Sequence, residues 1–264
     1  MSDRDRLQSL EKGLMILELL SKKGSPAKLE LLAQMSGIKK TSCFRVLKTL
    51  THAGFLVRDP DAKSYWLGPK TILVGLAGLG SQGVREVALP FMRDLREKTG
   101  ATVNLGMLMG TDVVFVERLQ SAHIMESSLR VGSRLPAHCS SMGKAILAFQ
   151  PNEEVEGILG QLNFERRTAK TITDKESFQI ELQTVRERGF ALNNEELEDG
   201  LFAVAGPLRD HTGKAVAAMN VSFPLVRHSK EKALKVFCPI LLKACQEVSS
   251  LLGFRESRSQ SLNS

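Results

Sequence analysis

The stretch that most limits what this chain can become runs from Ser36 to Leu67. Between Lys39 and Ala53 the apolar residues Phe44, Leu47 and Leu50, with Val46 and Ala53 beside them, recur at helical spacing. They predict an amphipathic helix with one buried stripe. The other face carries Lys39, Lys40, Thr41, Ser42, Arg45, Lys48 and Thr49, donors sized for phosphates and base edges in a major groove. Gly54 is expected to close the helix, because glycine takes the left-handed cap conformation at little cost. Two strand-like runs, Phe55–Arg58 and Ser64–Leu67, follow across the turn-forming segment Asp59-Pro60-Asp61-Ala62-Lys63. Upstream, Pro26–Met35 reads as a second helix, and Gly37 supplies the tight turn that helix-turn-helix geometry needs. A charged helix face is often simply solvated. Here the second helix, the one-sided charge and the immediate hairpin together favour a winged helix-turn-helix that reads DNA, with Lys63 of the wing at phosphate.

Charge is distributed accordingly. Of the 36 Lys and Arg and 29 Asp and Glu, the segment Met1–Lys70 holds 13 basic and 7 acidic residues, leaving 23 and 22 for the remainder. Nearly all of the net +7 therefore sits on the first quarter of the chain, which implies a polyanionic partner there and a different task for the rest. At 264 residues and 42% hydrophobic composition, the chain can bury a substantial core in one large or two modest domains. The four cysteines, Cys43, Cys139, Cys238 and Cys245, have no CxxC spacing, so neither a zinc knuckle nor a disulfide framework is indicated. The charged start Met1–Arg6 does not read as a signal peptide, and Thr71–Val84 is glycine-broken and too short to span a bilayer. The expectation is a cytoplasmic protein without a membrane partner.

Along the chain, Ser9 is a candidate cap for a first helix, Leu10–Ser21, with a stripe of Leu10, Leu14, Leu17 and Leu20 thickened by Met15, Ile16 and Leu19. Gly68-Pro69 ends a first domain, 1–68. Residues 69–85 read as a linker helix, whose Leu73, Val74, Leu76, Ala77 and Leu79 suit packing on another subunit or on their own domain. A second domain, 86–254, opens with the helix Val84–Lys98 and the hairpin Ala101–Met109, Asp112–Leu119 about Gly110-Thr111. A strand Ile124–Val131 precedes the Gly132–Pro136 corner. Helices are expected after Ala137 to near Phe149, over Pro151–Leu162 and over Asp174–Arg188, and strands at Phe190–Leu192, Leu201–Leu208 and Ala215–Phe223. A last helix, Ser229–Leu252, leads to a polar tail, 255–264, expected to be disordered. Antiparallel strands with helices kept to one side make an α+β domain, so the whole is a two-domain α+β chain.

No nucleotide-cradling GxGxxG or Walker motif occurs, and no cofactor is expected. His138-Cys139 beside Ser140-Ser141 invites a nucleophile reading, but a catalytic Cys or Ser needs an oriented base and none has a recognisable signature. His138 reads as a structural residue at a strand-to-helix corner in preference to a metal ligand with Cys139 and His211. What His138–Lys144 does offer is a polar helix start, where backbone N–H groups and hydroxyls suit a small carboxylate. Asn193-Asn194-Glu195-Glu196 and the pair Asn220/Ser222, which share a strand face, can add polar groups to an otherwise apolar pocket.

Several segments carry a family resemblance. Ser9-Leu10-Glu11-Lys12-Gly13-Leu14, the reader helix with its Asp59-Pro60 wing, Gly132-Ser133-Arg134-Leu135-Pro136-Ala137-His138 and Met142-Gly143-Lys144-Ala145 form its first part. Arg188-Gly189-Phe190-Ala191-Leu192-Asn193-Asn194-Glu195-Glu196 and Ala217-Ala218-Met219-Asn220-Val221-Ser222 complete it. In this order, over about residues 7–253, the chain resembles the IclR family of bacterial transcriptional regulators. The resemblance implies a winged helix-turn-helix, a linker helix and a GAF-like effector-binding domain with its antiparallel sheet flanked by helices. It also implies dimers, often pairing to tetramers, on palindromic double-stranded DNA operators. Carried over by position, it nominates Ser127, Leu135, Ser141, Met142, Asn193, Leu201, Ala203, Asn220 and Ser222 as effector contacts. The wording of these segments is closer to members that respond to aromatic acids or their ring-cleavage products than to those that bind glyoxylate or pyruvate. Asn193 stands where some members carry an acid, which favours an anionic effector. The resulting expectation is a non-enzymatic regulator of catabolic genes. A small-acid enzyme using His138, Cys139 and Ser140 behind a DNA-targeting module, and a ligand-free architectural DNA-binding protein, are the alternatives.

Overall fold

The computed structural model of the chain describes residues 7–81, 83–121 and 129–255, and side chains outside 76–81. It divides into two compact units, Met1–Ser81 and Gln82–Ser264.

The first unit contains α1 (Gln8–Lys23), β1 (Ala27–Lys28), α2 (Leu29–Ser36), α3 (Lys40–His52), β2 (Leu56–Arg58), β3 (Ser64–Leu67) and α4 (Pro69–Ser81). Its three strands form a small antiparallel sheet in the order β1-β3-β2. Ile16, Leu20, Leu32, Cys43, Leu47, Leu56 and Tyr65 close a single core beneath the helices. This is a winged helix-turn-helix, with four departures from the sequence reading. Ser9 lies inside α1, which begins after Leu7 without a side-chain cap. The buried face of α1 is Gly13, Ile16 and Leu20, leaving Leu10, Leu14 and Met15 exposed. Ala27-Lys28 is not helical but pairs with Tyr65 and Ser64 of the wing, so the second helix starts only at Leu29. The fourth departure is in α3, where Cys43 and Leu47 point inward and Phe44 outward, one residue out of the expected phase. In α4, Ile72, Leu73 and Val74 are exposed, whereas Leu76, Ala77 and Leu79 lie outside the described side chains.

The second unit begins with α5 (Val84–Thr99), β4 (Thr102–Met109), β5 (Asp112–Leu119) and β6 (Arg134–Pro136). A 3-10 turn, Ala137–Cys139, then leads to α6 (Ser141–Leu147), α7 (Asn152–Leu159) and α8 (Lys175–Arg188). Next come β7 (Ala191–Asn194), β8 (Leu201–Arg209) and β9 (Ala215–Pro224). The chain ends in α9 (Lys230–Lys232), a π-helical turn Ala233–Phe237 and α10 (Cys238–Leu251). One antiparallel sheet in the order β6-β5-β4-β9-β8-β7 organises the unit. The expected strand over 124–131 falls largely outside the described residues. Its described end, Leu129–Val131, is not strand, and the segment that pairs with β5 is Arg134–Pro136. The tail from Glu256 also lies outside them.

Helices cover both faces of the sheet, not one. Ala205 packs in the cluster containing Met142, Ala145 and Phe178 of α6 and α8. A side chain at its neighbour Gly206 would instead meet the Cys245 sulfur of α10 at 2.7 Å. Adjacent strand residues face opposite ways, so α6 and α8 lie on one face and α10 on the other. Gly143 sits so close to the Ala137 backbone that a Cβ there would collide with it, which draws the start of α6 tight against the preceding turn.

Candidate functional site

On α3 the structure exposes Lys39, Lys40, Thr41, Arg45 and Lys48. Ser42 is half-buried and, with Arg45 and Thr49, borders a groove towards Ser9, Leu10 and Gly13 of α1. The Thr49 hydroxyl donates to the Arg45 carbonyl at 3.0 Å. Lys40 forms an ion pair with Glu30 of α2 at 2.7 Å, both side chains being well exposed. Such a surface pair holds its partners weakly. Lys63 is exposed at the end of the wing turn, whose shape is set by Asp59 Oδ1 accepting from the Asp61 and Ala62 amides at 2.8 and 3.0 Å.

In the second unit, a cavity of about 510 Å³ lies against β4, β8 and β9, beside the start of α6 and the segment before β8. Its polar wall follows from strand register. Asn104 of β4 stands opposite Asn220 of β9, and Asn220 stands opposite Ala205 of β8, which puts these positions on one face. The Asn104 amide donates to Asn220 Oδ1 at 2.7 Å and to the Ser222 hydroxyl at 3.2 Å. Asn220 Nδ2 in turn donates to the Ser141 hydroxyl at 3.3 Å, tying the sheet to the first residue of α6. Ser140 caps that helix by accepting from the Gly143 amide at 3.4 Å. Asn193 donates to the Cys139 carbonyl at 3.2 Å and accepts from the Glu196 amide at 3.1 Å, so its amide is spent on shaping the wall.

The charge in this cavity comes from residues that the sequence did not single out. Arg118 of β5 donates through Nη1 to Asn104 Oδ1 at 2.8 Å, while its buried Nε has no partner among the described residues. Burial lowers its pKa without threatening its charge. Arg167 also lines the cavity, with one nitrogen on Glu165 at 3.0 Å, and Glu198 is the one carboxylate among the wall residues. Phe115, Leu129, Leu135, Leu201 and Ala203 supply apolar surface.

Of the effector residues nominated by sequence, Leu135, Ser141, Asn193, Leu201, Ala203, Asn220 and Ser222 all border this cavity. Met142 does not. One step round α6 from Ser141, it is fully buried against Gly106 and belongs to the core. Ser127 lies outside the described residues. Asn104 carried a signal that could have been read, since it is a polar interruption of the apolar run Val103–Met109, whereas Arg118 sits beside Glu117 at a charged strand end and carried little. Arg167 carried none.

The nucleophile reading of His138-Cys139 meets a contrary environment. Both are fully buried, and burial pushes the Cys139 thiol up to about 11, so it is protonated at neutral pH. The His138 ring bonds through Nε2 to the Glu165 carbonyl at 3.1 Å and packs edge-on against Phe164. Burial also lowers the His138 pKa and keeps the ring neutral. No group of three metal-ligating side chains occurs among the described residues, and no described helix is long and apolar enough to cross a membrane.

Comparison with known proteins matches residues 9–60 to the IclR helix-turn-helix domain and residues 76–250 to the C-terminal domain of bacterial transcriptional regulators of the IclR type. The HTH-type transcriptional regulator XynR of Escherichia coli is 30% identical over 248 residues, covering 94% of this chain and 98% of that protein. The Pca regulon regulatory protein of Pseudomonas putida is 30% identical over 247 residues, 93% of this chain and 84% of that one. Among solved structures, an IclR homologue from Microbacterium hydrocarbonoxydans complexed with 4-hydroxybenzoate superposes with a TM-score of 0.79 at 25% identity. It covers 93% of this chain and 99% of that one.

Proposed function

The chain belongs to the IclR family of bacterial transcriptional regulators, and from that premise we propose that it binds operator DNA through α3 and the wing and senses a small aromatic carboxylate in the sheet cavity. Lys39, Lys40, Thr41, Ser42, Arg45, Lys48 and Lys63 are the proposed DNA contacts. The protein acts as a dimer or tetramer in the cytoplasm, with exposed Leu73 and Val74 of α4 as candidate subunit contacts. A two-fold dimer then places its reader helices on palindromic half-sites about 34 Å apart, or a multiple of that.

The observation that carries the sensor reading is the Arg118 guanidinium. A half-buried cation whose buried Nε–H is unspent, set between a polar network and apolar walls, is the arrangement that recognises a carboxylate on an apolar body. A cavity of about 510 Å³ has room for a single ring. The 4-hydroxybenzoate complex of a relative and the similarity to a regulator of the Pca regulon support the choice of an aromatic acid.

The test is a thermal-shift screen of the full chain against carboxylates from pyruvate to 4-hydroxybenzoate and muconate. A ligand at 100 times its Kd stabilises the folded state by about 2.7 kcal/mol. Arg118→Met removes the charge at similar volume and should weaken the best acid by about 2 kcal/mol, roughly thirtyfold. Silence across the panel, or a hit indifferent to Arg118→Met, overturns the sensor assignment.

A further inference from the structure

We propose that Phe44 is a specificity-determining residue of the reader helix, contacting the 5-methyl group of a thymine in the major groove. The inference rests on the DNA-binding reading of α3.

The core does not use Phe44. Cys43 and Leu47 fill the inward face of α3 with no exposed surface, and Phe44 remains 48% exposed. One exposed apolar side chain is unremarkable on its own. Its surroundings make the case. Lys40, Thr41, Arg45 and Lys48 lie at i−4, i−3, i+1 and i+4 from Phe44, and all four are exposed. Side chains three and four apart on a helix are neighbours, so the ring sits at the centre of a cationic patch. An apolar protein partner covering that ring would strand the two flanking cations, Lys40 and Lys48, against its surface. A DNA duplex satisfies both requirements at once. Its phosphates take the cations, and its major groove presents an apolar group, the methyl of thymine, among hydrogen-bonding base edges.

Lys40 and Lys48 are eight residues apart, about 12 Å along the helix axis, with Phe44 midway between them on the same side of the helix. A recognition helix lies lengthwise in the major groove, so a ring on that side is carried along the base edges while the long lysine stems reach out to phosphates at the rims. The Lys40–Glu30 pair is no obstacle, because both side chains are more than 60% exposed and phosphate can replace the carboxylate.

The experiment starts by selecting tight duplexes from a randomised DNA library with the full-length protein. Each thymine of the selected duplex is then replaced by uracil, which removes the methyl and preserves every hydrogen-bonding group. Affinities are measured by fluorescence anisotropy at fixed salt for the wild type and Phe44→Ala. One methyl group withdrawn from apolar contact corresponds to a loss of about fourfold. The wild type should show one such position per half-site, and Phe44→Ala should be weaker on the thymine duplex yet indifferent to uracil there. Uracil tolerated everywhere by the wild type overturns the proposal without any appeal to the variant. So does an equal uracil penalty in both proteins, or an equal loss by Phe44→Ala on all sequences. A library that yields no enriched sequence would instead remove the DNA-reading premise itself.

Discussion

Lys63 holds the end of the wing turn at φ +51°, in the left-handed region. A side chain there costs roughly 1–2 kcal/mol relative to glycine. Lys63→Gly should therefore preserve or raise stability by up to about 1 kcal/mol in thermal melts. If Lys63 makes the proposed phosphate contact, the same change lowers the salt slope of DNA binding by about one ion. Stability and affinity falling together would mean that the lysine side chain holds the wing. Glu195 is a second residue at positive φ, +64°, and its carboxylate accepts from Lys170 at 2.5 Å, Lys230 at 2.8 Å and the Gly200 amide at 3.1 Å. Those bonds hold its pKa down at about 2. A carboxylate depressed on folding stabilises fully above its unfolded pKa, about 4.3, and the contribution is lost as pH falls towards 2. Glu195→Gln should flatten the acid dependence of stability in that window, as followed by circular dichroism melts. An unaltered profile would mean that other carboxylates set it.

At the scale of elements, α6 is fastened by Lys144, which is 1% exposed and donates to Glu196 Oε1 and Oε2 at 2.7 and 2.9 Å. Glu181, 3.4 Å from the same ammonium, also accepts from Arg188 at 2.9 Å. This buried network ties the segment preceding β8, which includes the cavity residues Leu197 and Glu198, to the helix that starts at the cavity floor. Removing one partner of a buried pair leaves an uncompensated charge, typically at about 3–5 kcal/mol. Lys144→Met should destabilise on that order in denaturant titrations, and Lys144→Met with Glu196→Leu should recover most of the loss. A double variant as unstable as the single one would show that shape, not charge, dominates. The elements legible in the sequence are those fixed locally: the β4–β5 hairpin about Gly110-Thr111, α8 between Asp174 and Gly189, and the wing. What stayed hidden depends on distant partners. Ala27-Lys28 becomes a strand only because Tyr65 and Ser64 lie opposite. The meeting of Arg118, Asn104, Asn220 and Ser141 requires the order β5-β4-β9, which no local pattern encodes. The phase of α3 was misread for another reason: Cys43 and Phe44 are both apolar, and hydrophobicity alone does not choose between neighbours 100° apart on a helix.

For the whole molecule, the concentration of net positive charge in the first quarter of the chain fits a DNA-binding first unit, while the proposed effector cavity lies in the nearly neutral remainder. Possession of both sites does not by itself make a switch. The acid must bind the high- and low-affinity DNA states unequally, and the coupling must be reciprocal. The measurement that tests this most directly is the Kd for a selected operator duplex, with and without a saturating concentration of the carboxylate that gives the largest thermal shift. The operator Kd should change by at least about fivefold, matched by an equal change in the Kd for the acid when the duplex is bound, and the change should be lost in Arg118→Met. An operator Kd that stays the same with the cavity filled would contradict it.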